Sequence, residues 1–221
     1  MQAKRAPLLR ASLRRVSEHY FTPRPGKNGE LGELHDVQVK ARGQEFSLKA
    51  SDRVFSQDHL DIGTHQLLIR SPRLPEAGTF LDLGCGWGPL ALMMAAEAPE
   101  ASVWATDVNE RALALTRLNA DLLGFTNVYV VQADAAYDEA LAKEVRFDVI
   151  WSNPPIRIGK PALREMLLRW LALLTPEGHA YLVVNRHLGA DSLASWLNTK
   201  GYVSQKVASR KGFRILDVHK G

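Results

Sequence analysis

The stretch Leu81-Asp82-Leu83-Gly84-Cys85-Gly86-Trp87-Gly88-Pro89 decides how the rest of the chain is read. Its apolar start reads as a strand. Gly84, Gly86 and Gly88 let the backbone turn sharply and approach a ligand closely. Pro89 suits the first position of a following helix, and the N–H groups at that helix start can face a carboxylate. Strand, glycine turn and helix in this order place a ligand beyond the carboxyl end of a parallel sheet. The dinucleotide fingerprint G-x-G-x-x-G, counted from Gly84, requires glycine at position 89, where Pro89 stands.

Outward from this turn the chain alternates strands and helices. Strands are predicted at Thr79–Leu83, Ser102–Thr106, Asn127–Val131, Phe147–Trp151 and Gly178–Val184. Helices are predicted between them at Pro89–Ala98, Glu110–Leu123, Ala136–Lys143 and Pro161–Leu174, the last stopped by Thr175-Pro176. A helix Ala190–Lys200 precedes two closing strands, Tyr202–Ala208 and Phe213–His219. Arg210-Lys211-Gly212 joins these too tightly for a helical crossover, so they pair antiparallel. Near-continuous apolar strands imply an α/β fold, a sheet covered on both faces. Upstream, residues 4–19 carry Leu8, Leu9, Leu13 and Val16 among basic residues, an amphipathic helix pattern, and 22–32 reads as a loop. Leu34–Lys40 and Glu45–Ala50 alternate around Arg42-Gly43-Gln44, a hairpin. The chain thus divides into a small α+β extension, 1–53, and a body, 54–221.

The 221 residues are 46% hydrophobic and 24% charged, the balance of an ordinary globular protein. A single cysteine excludes an internal disulfide and a cysteine metal cluster, and the seven histidines show no metal spacing, so no metal is expected. The apolar runs are too short for a membrane span. Nothing behind the basic N-terminus reads as a secretory signal, which makes cytoplasm the expected compartment. Residues 1–53 hold 11 Lys/Arg against 6 Asp/Glu, while 54–221 hold 17 against 18. The positive excess therefore lies in the extension. That suits a polyanion such as RNA, and equally a merely solvated tail.

Further candidates fall at later strand ends. Asp107, 21 residues beyond Gly86 and followed by Val108, can accept from two ribose hydroxyls or cap the next helix. Asp134 and Ala135 follow the next strand. The strand after that ends in Asn153-Pro154-Pro155-Ile156. Its asparagine oxygen and proline carbonyl are two hydrogen-bond acceptors.

The LDLGCGWG string, with Asp82, Gly84, Cys85 and Gly86, resembles motif I of class I S-adenosylmethionine (SAM) methyltransferases. Asn153-Pro154-Pro155-Ile156 resembles the N/D-P-P-aromatic motif of enzymes that methylate conjugated amino groups, with Ile156 in place of the ring that stacks on the target base. Stacking is then left to Tyr20, Phe21 or Phe55, or to apolar contact. Val54-Phe55-Ser56 through Asp61-Ile62-Gly63-Thr64, with Arg157, Gly159 and Lys160, resembles the RsmC-like 16S ribosomal RNA guanine-N2 methyltransferases and their single-domain "methyltransferase small" relatives. The likeness spans about residues 16–220, without the N-terminal domain of the two-domain members.

The resemblance implies a Rossmann-like, seven-stranded, mostly parallel sheet ending in an antiparallel hairpin, and SAM as cofactor. It implies that Asp107 and Val108 flank the ribose, that Asp134 and Ala135 meet the adenine amino group, and that Phe55, Ser56 and Thr64 flank the methionine end. It implies that Asn153, Pro154, Pro155 and Ile156 form the reactive centre, where the Asn153 oxygen and the Pro154 carbonyl each accept one N–H of an amine whose lone pair is delocalised, so that positioning and directed hydrogen bonds rather than a strong base carry the transfer. The expected reaction is methylation of an exocyclic amine, foremost guanine N2 of ribosomal RNA, with RNA or the small ribosomal subunit as partner. A protein glutamine amide, a tRNA or adenine-N6 target, or a non-catalytic SAM- and RNA-binding module are the alternatives. Arg157, Lys160, Arg210 and Lys211 join the N-terminal basic residues as phosphate contacts. The oligomeric state is left open.

Overall fold

The computed structural model describes residues 31–52, 54 and 59–221. The expected helix over 4–19 lies outside the described residues, as do Tyr20, Phe21, Phe55 and Ser56. Strands β1 (Leu34–Ala41) and β2 (Gln44–Ser51) form an antiparallel hairpin. Its two-residue turn has Arg42 and Gly43 both left-handed, at φ 52° and 81°. Helix α1 (Ile62–Arg70) follows; the sequence reading assigned no element there. The body then runs β3 (Ala77–Leu83), α2 (Pro89–Glu97), β4 (Glu100–Asp107), α3 (Glu110–Leu123), β5 (Val128–Gln132), α4 (Ala133–Ala142) and β6 (Phe147–Ser152). It continues with α5 (Lys160–Leu171), β7 (Leu174–Asn185), α6 (Ala190–Asn198), β8 (Tyr202–Arg210) and β9 (Phe213–Lys220).

The sheet has the order β5-β4-β3-β6-β7-β9-β8. The strands from β5 to β7 pair parallel, and β9 is antiparallel to both β7 and β8. The expected mostly parallel sheet with its closing hairpin is therefore present. After β3 the chain winds to one side, and from β6 to the other. The crevice of this fold thus opens between the carboxyl ends of β3 and β6.

Strand side chains alternate between two cores, as a sheet covered on both faces requires. Phe80, Val103 and Trp151 face α1, α2, α3 and the hairpin. Leu81, Trp104 and Ile150 face α4, α5 and α6. The hairpin contributes Val37, Val39 and Leu48 to the first core. It is tied there by Asn119 of α3, which accepts from Lys49 N at 2.7 Å and donates to the carbonyls of Lys49 and Trp87 at 2.9 Å. At the hairpin's other end Arg42 donates to Glu97 and to the carbonyls of Leu68, Ser71 and Pro72, closing the end of α1. Removing the buried Asn119 amide strands the Lys49 backbone groups. Asn119→Ala is expected to lower stability by about 2–3 kcal/mol, read from urea unfolding.

The helix expected at Ala136–Lys143 begins already at Ala133, so that Asp134 and Ala135 lie in its first turn, and a larger difference falls further on. The predicted helix Pro161–Leu174 ends at Leu171, and Leu174 already belongs to β7. Thr175-Pro176 is thus not a helix stop but an irregular strand entry, where the β6–β7 register shifts between Phe147 and Val149. Pro176 offers no N–H to a ladder, which such an irregularity accommodates. Gly178 follows because a Cβ there would lie 2.6 Å from the Phe147 carbonyl oxygen.

Candidate active site

The glycine turn is fixed from below and beside. Gly84 and Cys85 N–H groups both donate to the Thr106 carbonyl, at 2.8 and 2.9 Å. Gly86 N–H donates to Asp107 Oδ2 at 3.0 Å. Gly88, at φ 96°, caps α2, and its hydrogen faces the Thr116 side chain, 3.0 Å from where a Cβ would be. Gly84 and Gly86 also have left-handed φ, yet a Cβ on either would meet nothing within 4 Å. Their open sides form the cradle in which a ligand can approach the backbone. The Cys85 side chain turns inward to Thr116, 3.5 Å away, and burial pushes its thiol pKa well up. Only its backbone serves the turn.

Asp82 lies fully buried beneath α2, where Oδ2 accepts from Ala91 N–H at 2.9 Å. Its Oδ1 is buried without a hydrogen-bond partner. Burial raises the Asp82 pKa to about 8, with a contribution from Asp107. The folded protein therefore keeps this proton far above the ordinary carboxyl value of 3.8, near which the unfolded chain loses it. With more protons bound in the folded state, stability falls as pH rises between those two values. Asp82→Asn is expected to remove that fall; the check compares urea midpoints at pH 5 and pH 8 for both proteins.

Asp107 is held as a bracket. Oδ2 takes Gly86 N–H, and Oδ1 takes Asn109 N–H at 2.9 Å. The helix-capping alternative falls to Asn109, whose side chain accepts from Arg111 N–H at 3.0 Å. Each Asp107 oxygen keeps a further lone pair, and burial raises this pKa also. Val108 beside it is 37% exposed, an apolar surface at the rim. After β5, Gln132 Oε1 accepts from the N–H groups of Asp134 and Ala135. Asp134 Oδ1 is engaged by Arg169 at 2.7 Å, and that guanidinium also lies 3.9 Å over the Tyr137 ring. No motif points to this arginine, which comes from α5.

The Asn153 turn leaves β6 beside the glycine turn, since β3 and β6 pair and Ser152 Oγ donates to the Leu83 carbonyl at 2.7 Å. Pro155, at φ −73° and ψ 78°, makes an inverse γ-turn in which Ile156 N–H donates to the Pro154 carbonyl at 2.8 Å. One lone pair of that carbonyl remains for another donor. Ile156 is half-buried on the second core. It borders a narrow slot with Leu163, Val184, Leu188, Lys160 and Arg164.

Asn153 Nδ2 donates to Asp61 Oδ2 at 2.8 Å and to Thr64 Oγ1 at 3.0 Å. Thr64, expected at the methionine end of a cofactor, is thus seen against the reactive turn. Asp61 belongs to the motif through its place alone, with no role expected of its side chain. Its helix-start position, three residues before Thr64, was the available signal.

These residues fit SAM. The open glycine cradle, the unpartnered Asp82 oxygen, the remaining Asp107 lone pairs and exposed Val108 lie at the ends of β3 and β4, next to the Asn153 turn at the end of β6.

Comparison with known proteins agrees. The family model for the methyltransferase small domain matches residues 45–217. The uncharacterized protein YbxB of Bacillus subtilis is 32% identical over 93% of this chain and 100% of its own length. The ribosomal RNA small subunit methyltransferase C of Mannheimia succiniciproducens is 32% identical over 80% of this chain and 53% of its own. The chain thus spans about half the length of that relative. The T. thermophilus 16S rRNA N2 methyltransferase RsmC, solved with AdoMet and guanosine, shares the fold at TM-score 0.66 and 22% identity. That match covers 85% of this chain and 51% of RsmC. A glycine cradle beside an Asn-Pro-Pro turn, on a fold matched by that model over most of its length, places the chain in the methyltransferase small domain family of SAM-dependent methyltransferases.

Proposed function

We propose that the chain methylates an exocyclic amino nitrogen of RNA, foremost guanine N2 of small-subunit ribosomal RNA. The observation that carries the reaction type is Asn153. Both its amide hydrogens are spent on Asp61 and Thr64, which leaves Oδ1 as an acceptor beside the cofactor cradle. Asn153 Oδ1 and the second lone pair of the Pro154 carbonyl accept the two N–H groups of the target amine. Bound SAM supplies an electrophilic methyl group on a sulfonium. As the N–C bond forms, the C–S bond breaks and its electron pair stays on sulfur. The methylated nitrogen is acidic and loses one proton to solvent. Asp107 and Val108 hold the ribose, Asp134 and Ala135 the adenine, and Phe55 and Ser56 the methionine end. The half-buried Ile156 side chain offers the base apolar contact in place of a stacking ring.

RNA is favoured by charge placed at the site end of the sheet. Arg157 and Lys160 follow the Asn153 turn, Arg186 follows β7, and Arg210 and Lys211 form the β8–β9 turn; all are exposed. Arg186 N–H donates to the Gly212 carbonyl at 2.8 Å, and the Phe213 ring lies against Gly63, next to Asp61. These cations therefore border the reactive turn. A glutamine-bearing protein needs no such rim, whereas an RNA strand does. The names of RNA methyltransferases among the relatives support the same choice. The basic segment 1–53 is the second proposed contact with RNA.

Replacing Arg186, Arg210 and Lys211 by alanine is expected to weaken RNA binding and reduce the salt slope of log K by about 2, at roughly 0.7 per phosphate contact on single strands. The expected SAM affinity is unchanged. Filter binding across salt concentrations checks both. The function itself is tested by incubating the protein with tritiated SAM, ribosomal RNA and a protein extract together. Label is expected in the RNA fraction; label in protein would overturn the RNA reading.

A further inference from the structure

Asn153 sits in an arrangement that determines which way its amide faces. An asparagine amide offers two donors on one side and two acceptor lone pairs on the other. Asp61 Oδ2 lies 2.8 Å from one end of this amide. An ionised carboxylate only accepts, so the end facing it must be Nδ2. A flipped amide would press oxygen against carboxylate oxygen. The second Nδ2 hydrogen goes to Thr64 Oγ1, whose own hydroxyl lies 3.5 Å from the same Asp61 oxygen. The three side chains therefore satisfy one another in a single direction, and Oδ1 is the atom left over.

Asp61 is itself firmly held. Its Oδ2 caps α1 by accepting from Thr64 N–H at 2.9 Å, and its carbonyl accepts from His65 N–H at 2.8 Å. Gly63 allows this closeness. A Cβ there would stand 2.9 Å from both Asp61 Oδ2 and the Phe213 ring. The motif Asp61-Ile62-Gly63-Thr64 thus has one geometrical result, a carboxylate and a hydroxyl set against the Asn153 amide nitrogen.

We propose that Asp61 and Thr64 are positioning residues for methyl transfer: they fix the orientation of the Asn153 amide and raise the hydrogen-bonding power of its Oδ1. The second effect follows from charge. A hydrogen bond from Nδ2 to a carboxylate is charge-assisted, and it polarises the amide toward its oxygen. Oδ1 then holds the target N–H more strongly as that nitrogen becomes positive. This inference rests on the role proposed for Asn153 above.

The test uses the full chain, tritiated SAM and 16S ribosomal RNA from a strain lacking this enzyme. Thr64→Val removes the hydroxyl at nearly constant shape, and Thr64→Ser restores it. Asp61→Ser keeps a helix-capping residue while removing the carboxylate. Thr64→Val and Asp61→Ser are expected to lower kcat on the order of 10–100-fold, the range for groups that orient a reacting one. With kcat read at saturating SAM, KM for RNA should stay within about threefold, and Thr64→Ser should recover most of kcat. Urea midpoints show whether each variant is folded.

A readout independent of turnover is the side-chain NH₂ resonances of Asn153, assigned by comparison with Asn153→Ala. They are expected downfield and protected from exchange in the wild type, and shifted upfield with faster exchange in Thr64→Val. Unchanged kcat and unchanged NH₂ resonances in Thr64→Val and Asp61→Ser, with Asn153→Ala inactive, would overturn the positioning role alone. Full activity of Asn153→Ala would overturn the reaction centre instead.

Discussion

Asn153→Ala is expected to lower kcat for methyl transfer by about 100–1,000-fold while leaving SAM binding within a few-fold. The side chain is the one group at the end of β6 whose oxygen is freed and aimed by its neighbours, with both amide hydrogens held by Asp61 and Thr64. In the proposed reaction, its loss removes an acceptor whose bond to the target strengthens as positive charge develops on nitrogen. Deleting one preorganised hydrogen-bonding group of this kind typically costs about 100–1,000-fold in kcat. The Pro154 carbonyl remains in the variant, so the nitrogen is held by one bond and is free to rotate. The glycine turn and Asp107 are untouched, so the cofactor site should be intact. Single-turnover transfer and equilibrium SAM binding, measured on the same preparation, separate the two effects. Turnover within tenfold of wild type would show that the reacting centre lies elsewhere.

Asp107→Ala is expected to act on the opposite quantity. Its carboxylate brackets the glycine turn through Gly86 N–H and the start of α3 through Asn109 N–H. The same oxygens have lone pairs for two ribose hydroxyls. Two charge-assisted hydrogen bonds of about 1.5 kcal/mol each give roughly 3 kcal/mol, or about a 100-fold rise in the SAM Kd. Loosening of the turn adds to this. At saturating SAM, kcat should recover substantially, because the Asn153 turn is not part of the loss. Calorimetric titration with S-adenosylhomocysteine gives the Kd directly. An unchanged Kd would move the ribose contact away from β4.

The sheet was readable from sequence because its signals are local and strong. Helix α3 was placed at Glu110–Leu123 as observed, between the Asn109 cap and left-handed Gly124. The two hairpins declared themselves by short basic-Gly turns, Arg42-Gly43 and Lys211-Gly212, each with both residues at positive φ. The end of α5 was misread because Thr175-Pro176 looks like a helix stop. The strand begins before the proline, and its irregular register absorbs the missing N–H. Helix α1 was missed because it is short and its capping Asp61 sits inside a segment read as a motif rather than as structure.

The site was half legible. Glycines, prolines and carboxylates at strand ends can be named in sequence order, since the fold puts strand ends together. Which of them touch cannot be read that way. Thr64 meets Asn153 across 89 residues, and Arg169 meets Asp134 across 35. Both contacts come from helices whose facing side depends on packing. The capped start of α1 and the inner face of α5 supply groups that no spacing rule connects to the motifs.

The measurement that bears most directly on the proposed function is the identity of the methylated product. The full chain is incubated with tritiated SAM and small ribosomal subunits, or their extracted 16S RNA, from a strain lacking this enzyme. The RNA is then digested to nucleosides and separated by chromatography. The label is predicted to co-elute with N2-methylguanosine and to be absent when Asn153→Ala replaces the wild type. Label in another nucleoside, or in glutamine of a ribosomal protein, would contradict the account.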